Sequence, residues 1–277
     1  MNVPLRWALM DHSVRISAQS GTRSVERAVL VLRLLADRGT LGLAEIARRL
    51  AVPKSSAADV LRALVVGDFV AQDPEGRYRL GLGAFEIGAA YLRAMTPTAS
   101  VEPELRALTS ELSATSHFAV LDGNEVVYLA KHDPPLRGLE LASALGARLP
   151  AATTAVGKVQ LAFLSVHDAE EPLDSSSFLE FARIRALGYA LDEGGSTPGL
   201  TCVAAPVFSA SGCCGAIGVS TLVRGHPPLQ AMIEAVAAAA ARATLHLGGL
   251  RPHIDSVELG RTSSPGSDVP LRREASR

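Results

Sequence analysis

The sequence predicts an α+β protein of two domains, and three observations indicate this fold class. Residues 41–80 contain two short amphipathic helical segments followed by an alternating hairpin pattern. After residue 116 the pattern changes to strands mixed with helical segments, which is typical of an antiparallel sheet covered by helices. The chain has 277 residues, enough for two domains that each bury a core of their own.

Residues 43–66 predict a helix-turn-helix. The apolar residues of the first helix recur at i, i+3, i+4 and i+7, which places them on one buried face. They are Leu43, Ile46, Ala47 and Leu50. In the four-residue connection 51–54, Pro53 is expected at the first position of the second helix, where a missing N–H is tolerated. The second helix repeats the apolar spacing with Ala57, Val60, Leu61 and Leu64. Such a second helix can enter a DNA major groove.

A β-hairpin is predicted directly after the two helices. Residues 69–71 and 77–80 flank the sequence Asp-Pro-Glu-Gly at 73–76, which is typical of a turn. A helix-turn-helix followed by a hairpin is a winged helix, so we expect the chain to bind double-stranded DNA. Two amphipathic helices and a hairpin also occur in ordinary packing, so this alternative stays open on the pattern alone.

The candidate DNA-binding residues lie on the solvent side of these elements. Residues 22–82 hold ten Lys and Arg against seven Asp and Glu, a local charge of +3, whereas the whole chain has a net charge of −1. Basic residues at the turn, the second helix and the wing are placed to contact phosphates. They are Arg48, Arg49, Lys54, Arg62, Arg77 and Arg79. Small residues that allow close approach to the groove floor are Ser55, Ser56 and Ala58. Asp59 interrupts this face, because an anion repels phosphate unless it accepts a hydrogen bond from cytosine.

Helices are also predicted on both sides of the winged helix. The first runs from Ser24, its N-cap, to Asp37. We expect it to bury an apolar stripe that is wider than one small domain needs, which consists of Val25, Ala28, Val29, Val31, Leu32 and Leu35. After the wing we expect a helix over residues 84–95 that Pro97 terminates, and another over about 101–113.

The predicted domains follow from these elements. A winged helix-turn-helix domain spans residues 21–82, a linker helix 83–100 and a second domain 101–250. Residues 1–20 are expected to form a flexible leader, and residues 251–277 a disordered tail.

The composition excludes several functional classes. Hydrophobic residues make up 48% and charged residues 20%, as in folded domains, and only 4% are aromatic, which argues against stacking on single-stranded nucleic acid. The cysteines, Cys202, Cys213 and Cys214, provide no disulfide framework and no metal-type spacing, so no cofactor or metal is expected. No apolar segment resembles a signal peptide or a membrane span, which predicts a cytoplasmic protein without a membrane partner.

In the second domain, a hairpin is predicted from residues 117–121 and 125–129 around Asp-Gly-Asn at 122–124. Further strands are predicted near residues 139–142, 190, 201–208 and 216–222. Helices are predicted over about residues 154–164, 177–187 and 227–247.

A helix start in the second domain is a candidate ligand site. A helix beginning after Thr154 presents the N–H groups of Ala155, Val156 and Gly157 and the positive end of its dipole, which attract a carboxylate. Alternatively, a threonine hydroxyl caps these donors in the ordinary way.

Three other polar residues occur where their neighbours predict burial. Cys202 lies within an apolar strand, where a lone cysteine is usually a small core residue. Asp192 is expected to be a loop carboxylate. Ser220 lies on the last strand, where its hydroxyl needs a hydrogen-bond partner.

Several motifs, in order along the chain, resemble the IclR family of bacterial transcription regulators. Those of the first domain are SVERA at 24–28, LAEIARRL at 43–50, PKSS at 53–56 and GRYRLG at 76–81. Those of the second are LDG at 121–123, VVY at 126–128, TAVGK at 154–158, GYA at 188–190 and the most specific, PGLTCVAAPV at 198–207. The resemblance covers about residues 22–248. Many relatives have an arginine where Asp59 stands, so the DNA sequence or the affinity is expected to differ from the family norm.

The resemblance implies a GAF-like effector domain and a DNA-binding regulator controlled by a small organic ligand. The effector-binding residues it implies are Leu141, Leu149, Ala155, Val156, Asp192, Leu200, Cys202 and Ser220. Because Asp192 repels a carboxylate, we expect a small acid with a second polar group, or a neutral lactone-like compound. The resemblance also implies a homodimer or a dimer of dimers, with a dimer contact on the first helix.

Two other functions stay open. A cysteine-dependent hydrolase would use Cys202 as nucleophile and His117 as base, but the sequence has no nucleophile elbow or oxyanion motif, so no enzyme is expected. In the other alternative, the first domain only dimerises, as Asp59 indicates.

Overall fold

A computed structural model describes residues 23–94, 96–135, 144–164, 175–222 and 227–251 of the chain. It divides into two compact units, residues 1–94 and 95–277. The leader predicted at 1–20, the tail after residue 251, the strand predicted near 139–142 and the predicted effector residue Leu141 lie outside the described residues.

The first unit is a winged helix, as predicted. Its helices are α1 (Arg23–Arg38), α2 (Leu43–Arg49), α3 (Lys54–Val66) and α4 (Leu82–Ala94). Its strands are β1 (Leu41–Gly42), β2 (Val70–Gln72) and β3 (Arg77–Leu80). The central strand, β3, pairs antiparallel with both β1 and β2. The two-residue strand β1 was not predicted, because a segment this short has no alternation to detect.

The core of the first unit lies between α1, α2, α3 and the wing. The predicted buried face of α3, which includes Val60 and Leu61, packs against Val31 and Leu35 of α1. The position predicted for Pro53 was wrong by one residue. Its ψ of 144° is extended, so Pro53 is the N-cap and α3 begins at Lys54.

The prediction for α1 needs two corrections. The described part of the helix begins at Arg23, so Ser24 lies within it and is not its N-cap. Val25 and Val29 were predicted to be buried, but they are 60% and 36% exposed. The core of this small unit contacts only a narrow face of α1, and the fully buried residues of that face are Val31 and Leu35.

The second unit is a six-stranded antiparallel sheet with helices, which confirms the predicted fold class. Its strands are β4 (Thr115–Asp122), β5 (Glu125–His132), β6 (Arg148–Pro150), β7 (Ala190–Glu193), β8 (Leu200–Ser209) and β9 (Gly212–Leu222). Its helices are α5 (Thr96–Leu112), α6 (Ala155–Ala162), α7 (Ser175–Leu187) and α8 (Leu229–His246). The strand order is β6-β5-β4-β9-β8-β7. The helix α5 begins about five residues earlier than predicted, since Pro97 is tolerated in a first turn.

The two faces of this sheet have different partners. On one face, Ser116 Oγ donates a hydrogen bond to the carbonyl of Leu105 in α5 (2.7 Å), and the backbone of Phe208 donates to Thr244 in α8 (3.1 Å). On the other face, α6 packs its buried residues Ala155, Val156 and Val159 against the sheet. The sheet face beneath α6 carries the candidate effector residues.

Two glycines provide a test of the packing of α6. A Cβ at Gly157, in the first turn of α6, would lie 2.2 Å from the carbonyl oxygen of Ala151, whereas a Cβ at Gly88 in α4 would have no atom within 4 Å. We expect Gly157→Ala to lower the free energy of unfolding by about 2 kcal/mol or more through overpacking. The matched Gly88→Ala should raise it by up to about 1 kcal/mol, because alanine favours the helix. Urea unfolding followed by circular dichroism measures both, and an unchanged Gly157→Ala midpoint would contradict this packing.

Candidate functional site

The exposed face of α3 presents the residues predicted to contact DNA. Lys54, Ser55, Asp59 and Arg62 are exposed, while Ser56 and Ala58 are half-buried at the edge of this face. The wing adds Arg77 and Arg79, which are exposed and lie on the same side of β3 because they are two residues apart. The structure therefore brings polar and basic side chains to the surfaces of α3 and the wing.

Most arginines of this region already contact a carboxylate. The pairs are Arg48 and Arg49 with Glu45 (2.6 Å each), Arg62 with Asp59 (3.1 Å), and Arg77 with both Asp73 (2.9 Å) and Glu75 (3.6 Å). Hydrogen bonds from Arg48 and Arg49 lower the pKa of Glu45. Among the described residues, Lys54 and Arg79 have no carboxylate partner. Exposed ion pairs contribute little net free energy, so these arginines can exchange a carboxylate for a phosphate at small cost.

In the second unit, a row of buried polar residues crosses three neighbouring strands. Asp192 pairs with Cys202, and Cys202 pairs with Ser220. Directly paired residues of antiparallel strands share a face, so all three side chains lie on the side of the sheet that α6 covers. Asp192 was predicted to lie in a loop, which is wrong: it belongs to β7. Its neighbours in the turn segment 194–199 obscured that short strand in the sequence.

A small cavity of about 20 Å³ lies over this row of residues. Of the predicted effector residues, those that line it are Leu149, Ala155, Asp192, Leu200, Cys202 and Ser220. Val156 is fully buried beside it and is not part of the lining. The lining also includes residues that were not predicted to bind the effector: Tyr128, Thr154, Ser196 and Thr197. The strand alternation of β5 could have identified Tyr128, whereas nothing in the turn segment marks Ser196 or Thr197 as lining residues.

At the first turn of α6, the sequence left two alternatives: free backbone donors or a threonine cap. The structure has both. Thr154 is the N-cap, and its hydroxyl accepts a hydrogen bond from the N–H of Gly157 (3.1 Å). The N–H groups of Ala155 and Val156 have no side-chain acceptor within the part of the chain that the structure describes. The cap therefore satisfies one donor, and two donors remain at the positive end of the helix dipole.

The carboxylate of Asp192 holds the segment that covers the cavity. It accepts hydrogen bonds from the backbone N–H of Gly195 (2.7 Å) and of Ser196 (3.1 Å), and from the hydroxyl of Ser196. These donors compensate its negative charge inside the unit. A ligand in the cavity would therefore approach a carboxylate that already has partners, and the repulsion expected from the sequence is reduced.

Cys202 and His117, the residues of the hydrolase alternative, do lie together. The thiol Sγ is 3.8 Å from Nε2 of His117, and Nδ1 of His117 is buried without a hydrogen-bond partner. Burial raises the pKa of Cys202 to about 12 and lowers that of His117 to about 4. Both groups are therefore neutral near pH 7, and the thiolate that nucleophilic catalysis requires is disfavoured.

A larger cleft of about 340 Å³ lies beside α5 and includes Arg106, His132 and Asp133. Glu102 contacts both Arg106 (3.1 Å) and His132 (2.9 Å), while the hydroxyl of Thr115 donates to Asp133 (2.8 Å). Each of these three charged or titratable side chains thus already has a partner within the unit. Elsewhere among the described residues, no group of three His, Cys, Asp or Glu side chains is placed to hold a metal, and no helix is long and apolar enough to cross a bilayer.

Comparison with protein families gives matches to both units. The IclR helix-turn-helix domain matches residues 24–74, and the C-terminal domain of bacterial IclR transcriptional regulators matches residues 89–244. The chain belongs to the IclR family. Similar relatives include XynR of Escherichia coli K12, 31% identical over 218 residues that cover 72% of this chain and 86% of XynR. Another is BhcR of Paracoccus denitrificans, 30% identical over 257 residues, with 86% of this chain and 91% of BhcR covered.

Solved structures of IclR-family proteins share the fold. An IclR-type regulator from Alicyclobacillus acidocaldarius is 27% identical with a TM-score of 0.67, over 80% of this chain and 97% of its own. An IclR homologue from Microbacterium hydrocarbonoxydans, in complex with 4-hydroxybenzoate, has a TM-score of 0.71 over 81% of this chain and 99% of its own. At 21% identity, the latter shows the common fold alone. The chain is thus a transcriptional regulator with a helix-turn-helix domain and a C-terminal effector domain.

His117 predicts a pH dependence of stability in this IclR-family protein. Burial, and secondarily the charge of Lys131, lower its folded pKa to about 4 from an ordinary value of 6.5. The unfolded chain therefore binds the proton more readily, and the free energy of unfolding should fall by up to about 3 kcal/mol as pH decreases from 6.5 to 4. Urea titrations at several pH values measure this loss. The His117→Gln variant should lack this component, and an equal slope in both proteins would contradict the assignment.

Proposed function

We propose that this protein binds operator DNA through α3 and the wing, and that a small organic acid bound in the second unit regulates it. The observation that carries the DNA-binding part is the polar exposed face of α3 within a complete winged helix. A recognition helix places its exposed side chains against base edges in the major groove, and the wing contacts the backbone.

The proposed DNA contacts divide into two groups. The first group contacts phosphates. It includes two residues without a carboxylate partner among the described residues, Lys54 and Arg79. It also includes three arginines that would exchange a carboxylate partner for a phosphate: Arg48, Arg49 and Arg77. Residues assigned to the groove floor are Ser55, Ser56, Ala58, Asp59 and Arg62. Phosphate contacts set affinity and its salt dependence, whereas contacts to base edges set the sequence preference.

The phosphate contacts predict a defined salt dependence. We expect the double variant Lys54→Ala, Arg79→Ala to bind all DNA sequences more weakly, and its slope of log K against log salt to be shallower by about 2. Fluorescence anisotropy with a duplex selected from genomic fragments, at four salt concentrations, measures both. The matched control Arg38→Ala, an exposed arginine at the end of α1, should change neither quantity. If the double variant keeps wild-type affinity and slope, or the wild type prefers no fragment, the proposed interface is wrong.

The effector proposal rests on the complementarity of the cavity to a small acid. Ala155, which lines the cavity at the start of α6, offers a free N–H that favours a carboxylate, while Thr197 and Ser220 offer hydroxyls to a second polar group. Leu149 and Leu200 supply apolar contacts. A cavity of about 20 Å³ holds little more than one water, so a ligand must widen it. The segment 194–199, held by Asp192, is the element we expect to move.

Proline at position 155 removes the backbone donor without breaking a hydrogen bond of α6, and circular dichroism establishes that the variant keeps its fold at this buried position. Ala155 is the first residue of α6, where proline is tolerated, and Thr154 before it is already extended (φ −99°, ψ 145°). We expect Ala155→Pro to weaken carboxylate binding about tenfold or more, because a hydrogen bond to a charged group is lost. Isothermal titration calorimetry with small hydroxy and oxo acids, including the 4-hydroxybenzoate bound by the Microbacterium protein, measures this.

A matched proline controls for the effect of the substitution itself. Leu229 is the first residue of α8, away from the cavity lining, so Leu229→Pro should bind each acid as the wild type does. If no acid binds the wild type, or Ala155→Pro binds with unchanged affinity, the carboxylate site is contradicted.

We also propose that the regulator acts as a homodimer through the first unit. Apolar side chains of α1 and α4 are exposed in the single chain: Val25 (60%), Leu82 (60%), Phe85 (69%), Ile87 (60%) and Tyr91 (55%). A second copy that covers these side chains removes their contact with water. Two copies would present two α3 helices to half-sites about 34 Å apart. DNA fragments selected by the protein should therefore contain the same half-site twice.

A further inference from the structure

Asp59 is the single acidic residue of α3, and its carboxylate is far more exposed than those of Glu45 and Asp73, which also pair with arginines in the first unit. Its side chain is 70% exposed, compared with 32% for Glu45 and 16% for Asp73. Glu75 of the wing turn, 3.6 Å from Arg77, is similarly exposed but lies outside α3. Glu45 holds two arginines, and Asp73 accepts the backbone N–H of Arg77 in the wing turn. Those two contacts have a structural role, whereas the carboxylate of Asp59 projects from the face assigned to the groove.

Asp59 and Arg62 form one unit on that face. Arg62 Nη1 donates to Asp59 Oδ1 at 3.1 Å, and Arg62 is 73% exposed, so its remaining N–H groups are accessible. Residues three apart on a helix are neighbours, about 5–6 Å apart at Cβ, which is comparable to one or two steps of stacked base pairs. The pair therefore presents an acceptor and a set of donors to the same base pair or to adjacent ones.

Base chemistry limits what this pair can face in the major groove. A carboxylate near phosphates is repelled, unless a base amino group donates to it. Aspartate accepts from the N4 amino group of cytosine, and arginine donates two hydrogen bonds to O6 and N7 of guanine. A C·G pair, or a cytosine and a guanine at adjacent steps, provides both partners at this spacing.

We propose that Asp59 and Arg62 are a specificity-determining pair, in which Asp59 reads cytosine and Arg62 reads guanine. The contact between them orients the guanidinium, and the carboxylate lowers affinity for sites without the cytosine. This inference rests on the proposed function, since it requires α3 to be the recognition helix. Beyond the proposed function, it assigns cytosine as the base that Asp59 selects.

Selection from a random duplex library tests the proposal with the wild type, Asp59→Asn and Asp59→Ala. Wild type should select cytosine at one position of each half-site. Asp59→Asn should select adenine there, because an amide pairs with N6 and N7 of adenine, with a change in relative affinity of about tenfold or more. Asp59→Ala should lose the preference at this position only. It should also bind random DNA several-fold more tightly at low salt.

Glu45→Gln is the matched control, because it removes one carboxylate paired with arginine outside α3 and should leave every selected base unchanged. If wild type and Asp59→Asn select the same base at every position, the pair does not contribute to base recognition and the inference is wrong. This outcome would not contradict the proposal that α3 binds DNA. If the wild type selects no sequence, the assignment of α3 itself is wrong, and this inference is wrong with it. Circular dichroism of each variant establishes that it is folded.

Discussion

The second unit depends on the close approach of α6 to the sheet, which two glycines permit. At Gly157 a Cβ would overlap the backbone of Ala151, and at Gly218 on β9 it would lie 2.5 Å from His117 and 3.0 Å from Val156. With hydrogen at both positions, the start of α6 lies on the row of polar strand residues. Helix donors and strand hydroxyls thereby line one cavity, although they come from distant parts of the sequence. The proposed acid would need both sets.

In the first unit, the arginines proposed to contact DNA also form ion pairs on the folded surface. Most are paired with a carboxylate within a few residues of sequence, so the isolated unit is only weakly basic despite its many cations. Such local pairs exchange partners easily because they are exposed. A protein with a net charge of −1 can thus hold DNA without a strongly positive surface.

The sequence predicted the features that depend on local periodicity. The buried face of α3, the wing and the strands β4, β5, β8 and β9 follow from apolar spacing, and the structure has them. Features set by distant contacts were not predictable in this way. The exposure of Val25 and Val29, the place of Asp192 in a strand and the lining role of Ser196 depend on packing that no window of sequence contains. The sequence suggested that Thr154 caps α6. It did not indicate that the cap would satisfy only one of the backbone donors.

The hydrogen bonds that hold segment 194–199 beside the cavity have a consequence for the kinetics of the proposed ligand. If the proposed ligand enters by displacing segment 194–199, its entry waits for a spontaneous break of the hydrogen bonds between Asp192 and residues 195 and 196. Association is then slower than diffusion allows, and its observed rate levels off at high ligand concentration. Residence times lengthen for the same reason, because departure must also wait for that opening. The regulator would therefore respond to sustained changes in metabolite level and average out brief ones.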